Sequence, residues 1–499
     1  MFKILSFTSH THPRLKNKTF ALSNAEENTS KNYYSIIIGP NGTGKSYLIS
    51  EIIECFNEIS LLLREKDYKI RKKFTIEYLL NNHKYLFSSE NKFNVILKDG
   101  NAVLDLNELR LPKAWLASSV SLSDKYPLLN YIREQQIPQY KYLGIRSASN
   151  NAFISRIKIN TVLYLIRALE RDKINSLLHL YKSLGLNPSF QIELAAGSML
   201  KLEKEGTVFK LYDKSEIRKL LIPHLNFIDR NKEKKSYRAD NYKHHLYASN
   251  NLDQLFNFLY TNKEKFEKNT KGNIRFKYNI NLSTSEGVQD LLKDWPAISI
   301  MLDLELIKFD KFIITKKTAF KFEEASSGES HLLTSLHGIV AYLEDDSLLV
   351  IDEPEISLHP NWQLEYFDIL KSALQPYTGV NVIISSHSHL LMSNLLDEES
   401  KICSVRPVPL SDELTVEELD YNTYGWDPES ILYNVFEVAT LRNKYFEIDL
   451  KKLISLISTQ SHEKKTIKAL RDKIAKFIMT DDEDPLQLLI DEVDNYLQN

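Results

Sequence analysis

The residues GPNGTGKS (Gly39–Ser46) match the phosphate-loop pattern G-x-x-x-x-G-K-[ST]. The glycines let the backbone turn its N–H groups inward around a phosphate. Lys45 brings a point charge to the β- and γ-phosphates of a nucleotide, and the Ser46 hydroxyl is a magnesium ligand. The helix that follows adds the positive end of its dipole. Gly39, Pro40, Asn41, Gly42, Thr43, Gly44, Lys45, Ser46 and Tyr47 are therefore the candidate nucleotide-binding residues. A second set lies far along the chain, in LLVIDEPE (Leu348–Glu355). Asp352 at the end of an apolar run is placed to hold magnesium, directly or through water. Glu353 beside it is placed to orient and polarise an attacking water. SSH (Ser385–His387) contributes His387, which can reach a γ-phosphate, whereas His389 reads as a structural or surface histidine.

These residues need particular elements behind them. YYSIIIG (Tyr33–Gly39) is a short apolar run ending in glycine and predicts a buried strand. The stretch from Ser46 has apolar residues at helical spacing and predicts an amphipathic helix. SLLVIDEPE (Ser347–Glu355) and NVIISSHSH (Asn381–His389) predict two more buried strands with chemistry at their carboxyl ends. Alternating buried strands and helices indicate an α/β core around a parallel sheet, whose carboxyl edge is where ligands sit. EEASSGESHLL (Glu323–Leu333) opens a further helix. By itself it reads as an N-cap, with Ser satisfying backbone N–H groups and an acidic residue in the first turn. The same exposed N–H groups are also an anion site.

The chain of 499 residues is 43% hydrophobic, too long for one ordinary domain. With 64 basic against 66 acidic residues, its net charge of −2 makes no whole-chain case for nucleic-acid binding. Cys55 and Cys403 lie far apart and form no zinc spacing, which fits a reducing cytoplasm. Neither a signal peptide nor a membrane span is expected, since no apolar run approaches membrane length. After the first helix, FTIEYLL, HKYLFSS, KFNVILKDG and AVLDL predict a strand meander, and AWLASSVSLS (Ala114–Ser123) a buried strand. From about Leu128 the pattern is mostly helical, clearest in NTVLYLIRALERDKINSLLHLYKSLGL and NNLDQLFNFLYTNKEKFEK, with FQIELAAG and TVFKLYD as candidate strands. RNKEKKSYR (Arg230–Arg238) reads as a solvated basic loop. Prolines interrupt this block and heptads do not persist, which argues against a long coiled-coil arm.

Phosphate loop, SSGES, DEPE, SLHP (Ser357–Pro360) and a strand ending in His, in that order, resemble an ABC-type ATPase, and the large insertion resembles the SMC, RecF and OLD branch. The resemblance implies an α/β P-loop ABC-type ATPase head with a mostly helical insertion and a helical C-terminal region. Residues 1–127 and 310–418 would form the head, 128–309 the insertion, and 419–499 the C-terminal region, a candidate docking site. It implies ATP and Mg2+ as cofactors, with Glu353, Lys45 and His387 catalytic and Ser46 and Asp352 on the metal. In that family SSGES corresponds to the signature motif and SLHP to the D-loop. Each ATP lies between the loop of one head and the signature of another. Ser326, Ser327, Gly328 and Glu329 would then meet the ATP of a second copy, in a head-to-head dimer or higher oligomer. Ala325-Ser326-Ser327-Gly328-Glu329 departs from the commoner Leu-Ser-Gly-Gly, and Ser327, directly before the glycine, is the favoured contact. The family's Q-loop glutamine has no counterpart in ASSVSLSDKYP (Ala117–Pro127), where Asp124 or a nearby serine is the substitute.

LPKAWLASSVSLSDKYP, YKYLGIRS (Tyr140–Ser147) and YNTYGWDPESILYNVF (Tyr421–Phe436) resemble, more narrowly, the PtuA family of Septu and some retron antiphage systems. That implies an ATPase that scaffolds and restrains a separate HNH-type nuclease, in a retron setting beside a reverse transcriptase and its RNA–DNA product. No nuclease motif is visible in this chain, so cleavage is expected from a partner. A DNA-repair ATPase of the RecF/SMC type, binding DNA directly, is the alternative.

Overall fold

The computed structural model describes residues 1–196, 274–408, 413–419, 444–458, 464–475 and 485–498, with short exceptions inside the first two spans, plus isolated positions between them. The RNKEKKSYR run, TVFKLYD, most of NNLDQLFNFLYTNKEKFEK and most of YNTYGWDPESILYNVF lie outside the described residues. Two units are distinguished, Met1–Gly425 and Trp426–Asn499.

In the first unit the strands are β1 (Phe2–Ser9), β2 (Thr19–Ala21), β3 (Tyr33–Ile38), β4 (Phe74–Leu80), β5 (His83–Ser88), β6 (Val95–Lys98), β7 (Asn101–Ala102), β8 (Trp115–Ser119), β9 (Tyr140–Tyr142), β10 (Ser189–Ala196), β11 (Glu267–Lys268), β12 (Ile274–Asn281), β13 (Ile307–Thr315), β14 (Ala319–Lys321), β15 (Leu348–Asp352), β16 (Asn381–Ser386), β17 (Ser400–Pro407) and β18 (Leu414–Leu419). The helices are α1 (Lys45–Arg64), α2 (Tyr131–Gln136), α3 (Ile154–Glu170), α4 (Ile174–Ser183), α5 (Val288–Asp303), α6 (Ser327–Tyr342) and α7 (Pro360–Leu374). A seven-stranded sheet runs β18-β17-β3-β16-β15-β8-β9, parallel except for the β17–β18 pair. β3, β8, β15 and β16 are buried throughout, as continuous apolar runs in a sheet covered on both faces must be.

The meander predicted after α1 is present as an antiparallel sheet, β2-β1-β4-β5-β6-β7. α1 joins it to the parallel sheet through one core. Leu48, Ile52, Phe56 and Ile59 of α1 pack with Phe2, Ile4 and Tyr78 of the meander and with Trp115, Leu348 and Val350 of the parallel sheet. The Trp115 indole N–H donates to Asn57 Oδ1 at 2.7 Å, which satisfies a large buried aromatic. Alternation along β15 turns Ile351 to the other face, where it lines a small cavity with Leu332 and Ser335 of α6.

The third sheet, β11-β12-β10-β13-β14, is antiparallel and changes the reading of the insertion. The expected boundary at 309/310 falls within β13, which pairs with β10 from inside the insertion, and the one at 127/128 is crossed by the β8–β9 pair. Contiguous blocks along the chain concealed these pairings, because strand partners far apart in sequence leave no local signal. The long helical run predicted from Asn160 is two helices, α3 and α4, separated at Asp172, whose φ is +56°. α3 packs along α6 with a buried hydroxyl pair, Thr161 to Thr334 at 2.6 Å. Among the described residues the second unit holds α8 (Lys444–Ser458), α9 (Lys464–Ala475) and α10 (Pro485–Gln498), packed around Leu453, Ile467, Ile474, Ile490 and Val493. No described helix is long and apolar enough to cross a membrane.

Asn381 is the polar tie between the two sheets that sandwich α1. Its buried Oδ1 accepts from the Ile4 N–H at 2.9 Å, and its amide donates to Tyr33 O and Ser35 Oγ, each at 3.3 Å. Asn381→Ala removes the partner of the buried Ile4 N–H, whereas Ser35 keeps its bond to Leu22 O, and should cost about 1–3 kcal/mol, measured by denaturant unfolding. A loss under about 0.5 kcal/mol would show that the tie contributes little.

Candidate active site

The site lies at the carboxyl edge of the parallel sheet, where β3, β15 and β16 end side by side. After β3 the chain turns through Gly39, Gly42 and Gly44, with φ of +151°, +78° and +92°. Gly44 is the N-cap of α1 in the left-handed region, and a Cβ there would meet the His12 ring at 2.5 Å, so both conformation and space call for glycine. The first intrahelical bond is Leu48 N–H to Gly44 O at 2.9 Å, which leaves the N–H groups of Lys45, Ser46 and Tyr47 without an intrahelical partner. That is the geometry of an anion site. Pro40, Asn41 and Gly42 are exposed at its rim, and the Thr43 hydroxyl donates to Pro40 O at 2.9 Å.

Lys45, buried in the first turn, donates to Gly39 O at 2.8 Å and Pro40 O at 3.1 Å. Burial pulls its ammonium down to about 8, against the opposing pull of Glu353, Asp352 and Glu355. His387 Nε2 lies 3.0 Å from Lys45 Nζ and 3.0 Å from Glu353 Oε1. A single ring nitrogen can donate to the carboxylate or accept from the ammonium, not both, so the imidazole arbitrates between Lys45 and Glu353. The hydrogen bond from His387 holds the Glu353 carboxyl below its ordinary range. Glu353 itself has a φ of +48°, rare for a non-glycine residue, and its N–H is pinned to Ser385 O at 3.0 Å.

Ser46 Oγ donates to Asp352 Oδ1 at 3.0 Å, and Ser385 Oγ donates to the same oxygen. Burial pushes Asp352 up to about 6, because two serine hydroxyls offset only part of the lost hydration. Two adjacent hard oxygen donors, one a costly buried carboxylate, fit a divalent cation of the magnesium kind.

The structure therefore brings Lys45, Ser46, Asp352, Glu353 and His387 together. Tyr47 turns its ring to His12, edge-on at 5.0 Å, and lies under Lys72. Ser326–Glu329 lie elsewhere on the unit. Ser326 and Glu329 form a capping box, and a Cβ on Gly328 would meet Ser357 O at 2.3 Å, so this motif packs on SLHP of its own chain. The Ser326 hydroxyl is taken by the cap, whereas Ser327 is exposed. Asp124 is not open to a metal, since Tyr142, Arg146 and the Tyr126 N–H occupy both its oxygens.

Several contributors were missed. His12 accepts the N–H groups of Arg14 and Leu15 on Nδ1, at 3.0 and 2.8 Å, which leaves Nε2–H to donate to Gly44 O at 3.1 Å. Arg14 Nη1 donates to Gly42 O at 2.5 Å. Glu355 accepts from the His387 N–H at 2.6 Å and from Ser386 Oγ at 2.9 Å. THPRL (Thr11–Leu15) offered a weak signal, a His and an Arg after an apolar strand, but nothing local assigns it to a loop thirty residues on.

A P-loop ATPase head of the ABC type is what this sheet and this edge define. A family model described as "AAA domain, putative AbiEii toxin, Type IV TA system" (AAA_21) matches residues 35–393, and the chain belongs to that family. It is similar to the Septu protein PtuA of Bacillus thuringiensis, 24% identical over 177 residues, 31% of this chain and 42% of the relative. It is also similar to the Septu protein PtuA of Bacillus mycoides (strain KBAB4), 21% identical over 192 residues, 36% and 26% of the two chains. Protein ea59 of Escherichia phage lambda is 25% identical over 136 residues, 27% of this chain and 25% of that one. The match thus spans under half the length of each relative. Among solved structures, an SmcHead bound to the C-winged helix domain of ScpA aligns with a TM-score of 0.31 at 11% identity, over 84% of this chain and 97% of that one. The recombination mediator protein RecF-ATPrS aligns at 0.28 with 15% identity, over 84% and 98%.

The raised Asp352 predicts a pH signature. The folded chain holds this proton more tightly than the unfolded chain, so the stability from protonated Asp352 is full below its ordinary value of 3.8 and lost as pH rises through about 6. Ligand-free Asp352→Asn, in chelator, should therefore melt above the wild type at about pH 7.5, by the equivalent of roughly 1–3 kcal/mol, with the gap narrowing toward about pH 4. Thermal unfolding across that range checks it, and a gap that widens at low pH would contradict the assignment.

Proposed function

We propose that this chain is the ATP-binding, ATP-hydrolysing subunit of an antiphage defence complex, and that it scaffolds and controls a separate HNH-type nuclease. The observation that carries the ATPase half is the 3.0 Å bond from Ser46 Oγ to Asp352 Oδ1, beside the chain Lys45–His387–Glu353. It unites a phosphate loop, a cation-binding pair and a candidate base at one sheet edge. The defence half rests on the likeness to Septu PtuA proteins, which covers about a third of this chain.

In this reading the free N–H groups at the start of α1 hold the β-phosphate of ATP. Lys45 moves its ammonium from the Gly39 and Pro40 carbonyls to the β- and γ-oxygens. Ser46 and Asp352 would hold magnesium, which supplies positive charge against the phosphates when bound. Glu353 takes the proton of the attacking water, with its carboxylate held by His387. His387, already touching both Lys45 and Glu353, reports the γ-phosphate to the base. Exposed Ser327 and the open N–H groups of α6 complete the site of a second copy, which makes the working unit a head-to-head dimer. A nuclease partner docks on the insertion or on residues 419–499.

Glu353→Gln should bind ATP like the wild type yet lose at least about 100-fold in turnover, while Lys45→Ala loses nucleotide binding as well. Protection against phage by Lys45→Ala would sink the defence role. Ser327→Arg should leave the melting curve unchanged and abolish ATP-dependent dimerisation, measured by light scattering with Glu353→Gln as the trapping background. Dimers that persist in the double variant would remove the signature from the interface.

A further inference from the structure

The segment after β8, residues 120–127, leaves the sheet beside the cation pair, because Ser119 is the register partner of Asp352. It is tied down on every side. Asp124, its side chain wholly buried, accepts from Arg146 at 3.1 Å and from the Tyr126 N–H at 3.1 Å on Oδ1, and from the Tyr142 hydroxyl at 2.5 Å on Oδ2. Arg146 also donates to Tyr126 O. Ser50 of α1 donates to Lys125 O at 2.7 Å, and the Tyr140 hydroxyl to Pro127 O at 2.9 Å. Tethers before, at and after Tyr126 leave its backbone little freedom.

What this cradle presents is the Tyr126 hydroxyl. The residue is 1% exposed, and its oxygen meets no hydrogen-bond partner among the described residues. Ser50, which anchors Lys125 O, stands one turn along α1 from Ser46, so the cradle packs against the helix that carries one member of the cation pair. A buried hydroxyl with nothing to bind is disfavoured, so one held in a rigid mount next to the cation pair implies a polar partner that arrives with the ligand. Magnesium retains several waters, and a phenol can accept from one of them or donate to a carboxylate.

We propose that the Tyr126 hydroxyl senses the hydrated cation at this site, in the place the Q-loop glutamine takes elsewhere, and that Asp124, Tyr142 and Arg146 are its positioning residues. The proposal rests on the ATPase reading above. Tyr126→Phe removes one oxygen and orphans no protein group, so the fold without nucleotide should be as stable as wild type or slightly more so. Mn2+ binding to the protein–ATP complex, read by electron paramagnetic resonance, should weaken about tenfold, the worth of one hydrogen bond to a charged centre. ATP affinity in chelator should not change. Arg146→Met should reproduce the Mn2+ defect by loosening the cradle with Tyr126 intact. Wild-type Mn2+ affinity in Tyr126→Phe, with the wild type itself binding Mn2+ and ATP normally, overturns the sensor and leaves the ATPase reading standing. A wild type that binds no nucleotide overturns both.

Discussion

The site turns on one buried carboxylate. Asp352 ends β15 almost fully buried, and what holds it is a pair of serine hydroxyls from different elements, Ser46 at the start of α1 and Ser385 at the end of β16. Each bond fixes a register. The first sets the helix start against the sheet edge, and the second sets β16 against β15, where Asp352 and Ser385 are also backbone partners. Desolvation raises the carboxyl, and each donor lowers it again. The site is therefore strained toward a cation, since two hydroxyls are weaker compensation than a divalent charge.

From that anchor the neighbouring placements follow. Glu353 comes next in the chain, at a left-handed φ of +48°. Its side chain goes to His387, whose own N–H is bound by Glu355, so both glutamates of DEPE act on the same histidine. The arrangement is a short relay with an acidic partner at each end and Lys45 across the ring. Moving the proton on Nε2 exchanges one contact for the other, which gives the imidazole two states without moving the backbone.

Much of this was legible because phosphate loops and strand-end carboxylates are local devices. GPNGTGKS and LLVIDEPE each contain their own strand-to-turn signal, and glycine meets the positive φ at Gly42 and Gly44 without strain. The support around them was not local. His12 reads as a loop residue until the fold seats it on Gly44, and Asn381 reads as a strand start until it is seen to bridge Ile4 and Tyr33. The pairing of β10 with β13 was hidden for the same reason: their paired ends, Ala196 and Ile307, are 111 positions apart, and no pattern within either names the other. Asp124 failed differently. Its residue type suggested a ligand, but Arg146 and Tyr142 had already claimed it.

The contact between Gly328 and Ser357 bears on how such a head would work in pairs. A side chain at 328 would overlap the Ser357 carbonyl, and Ser357 is itself at φ +66°, so neither backbone can slide without the other. SSGES and SLHP are thus packed backbone to backbone. SLHP also follows DEPE after a single residue, Ile356, so displacement of this edge reaches Glu353 through a few bonds. A partner pressing on Ser327 would act on this chain's own base as well as on the partner's nucleotide. In the proposed dimer, reciprocal contacts of that kind would make two sites respond together, because each copy would supply part of the other's site.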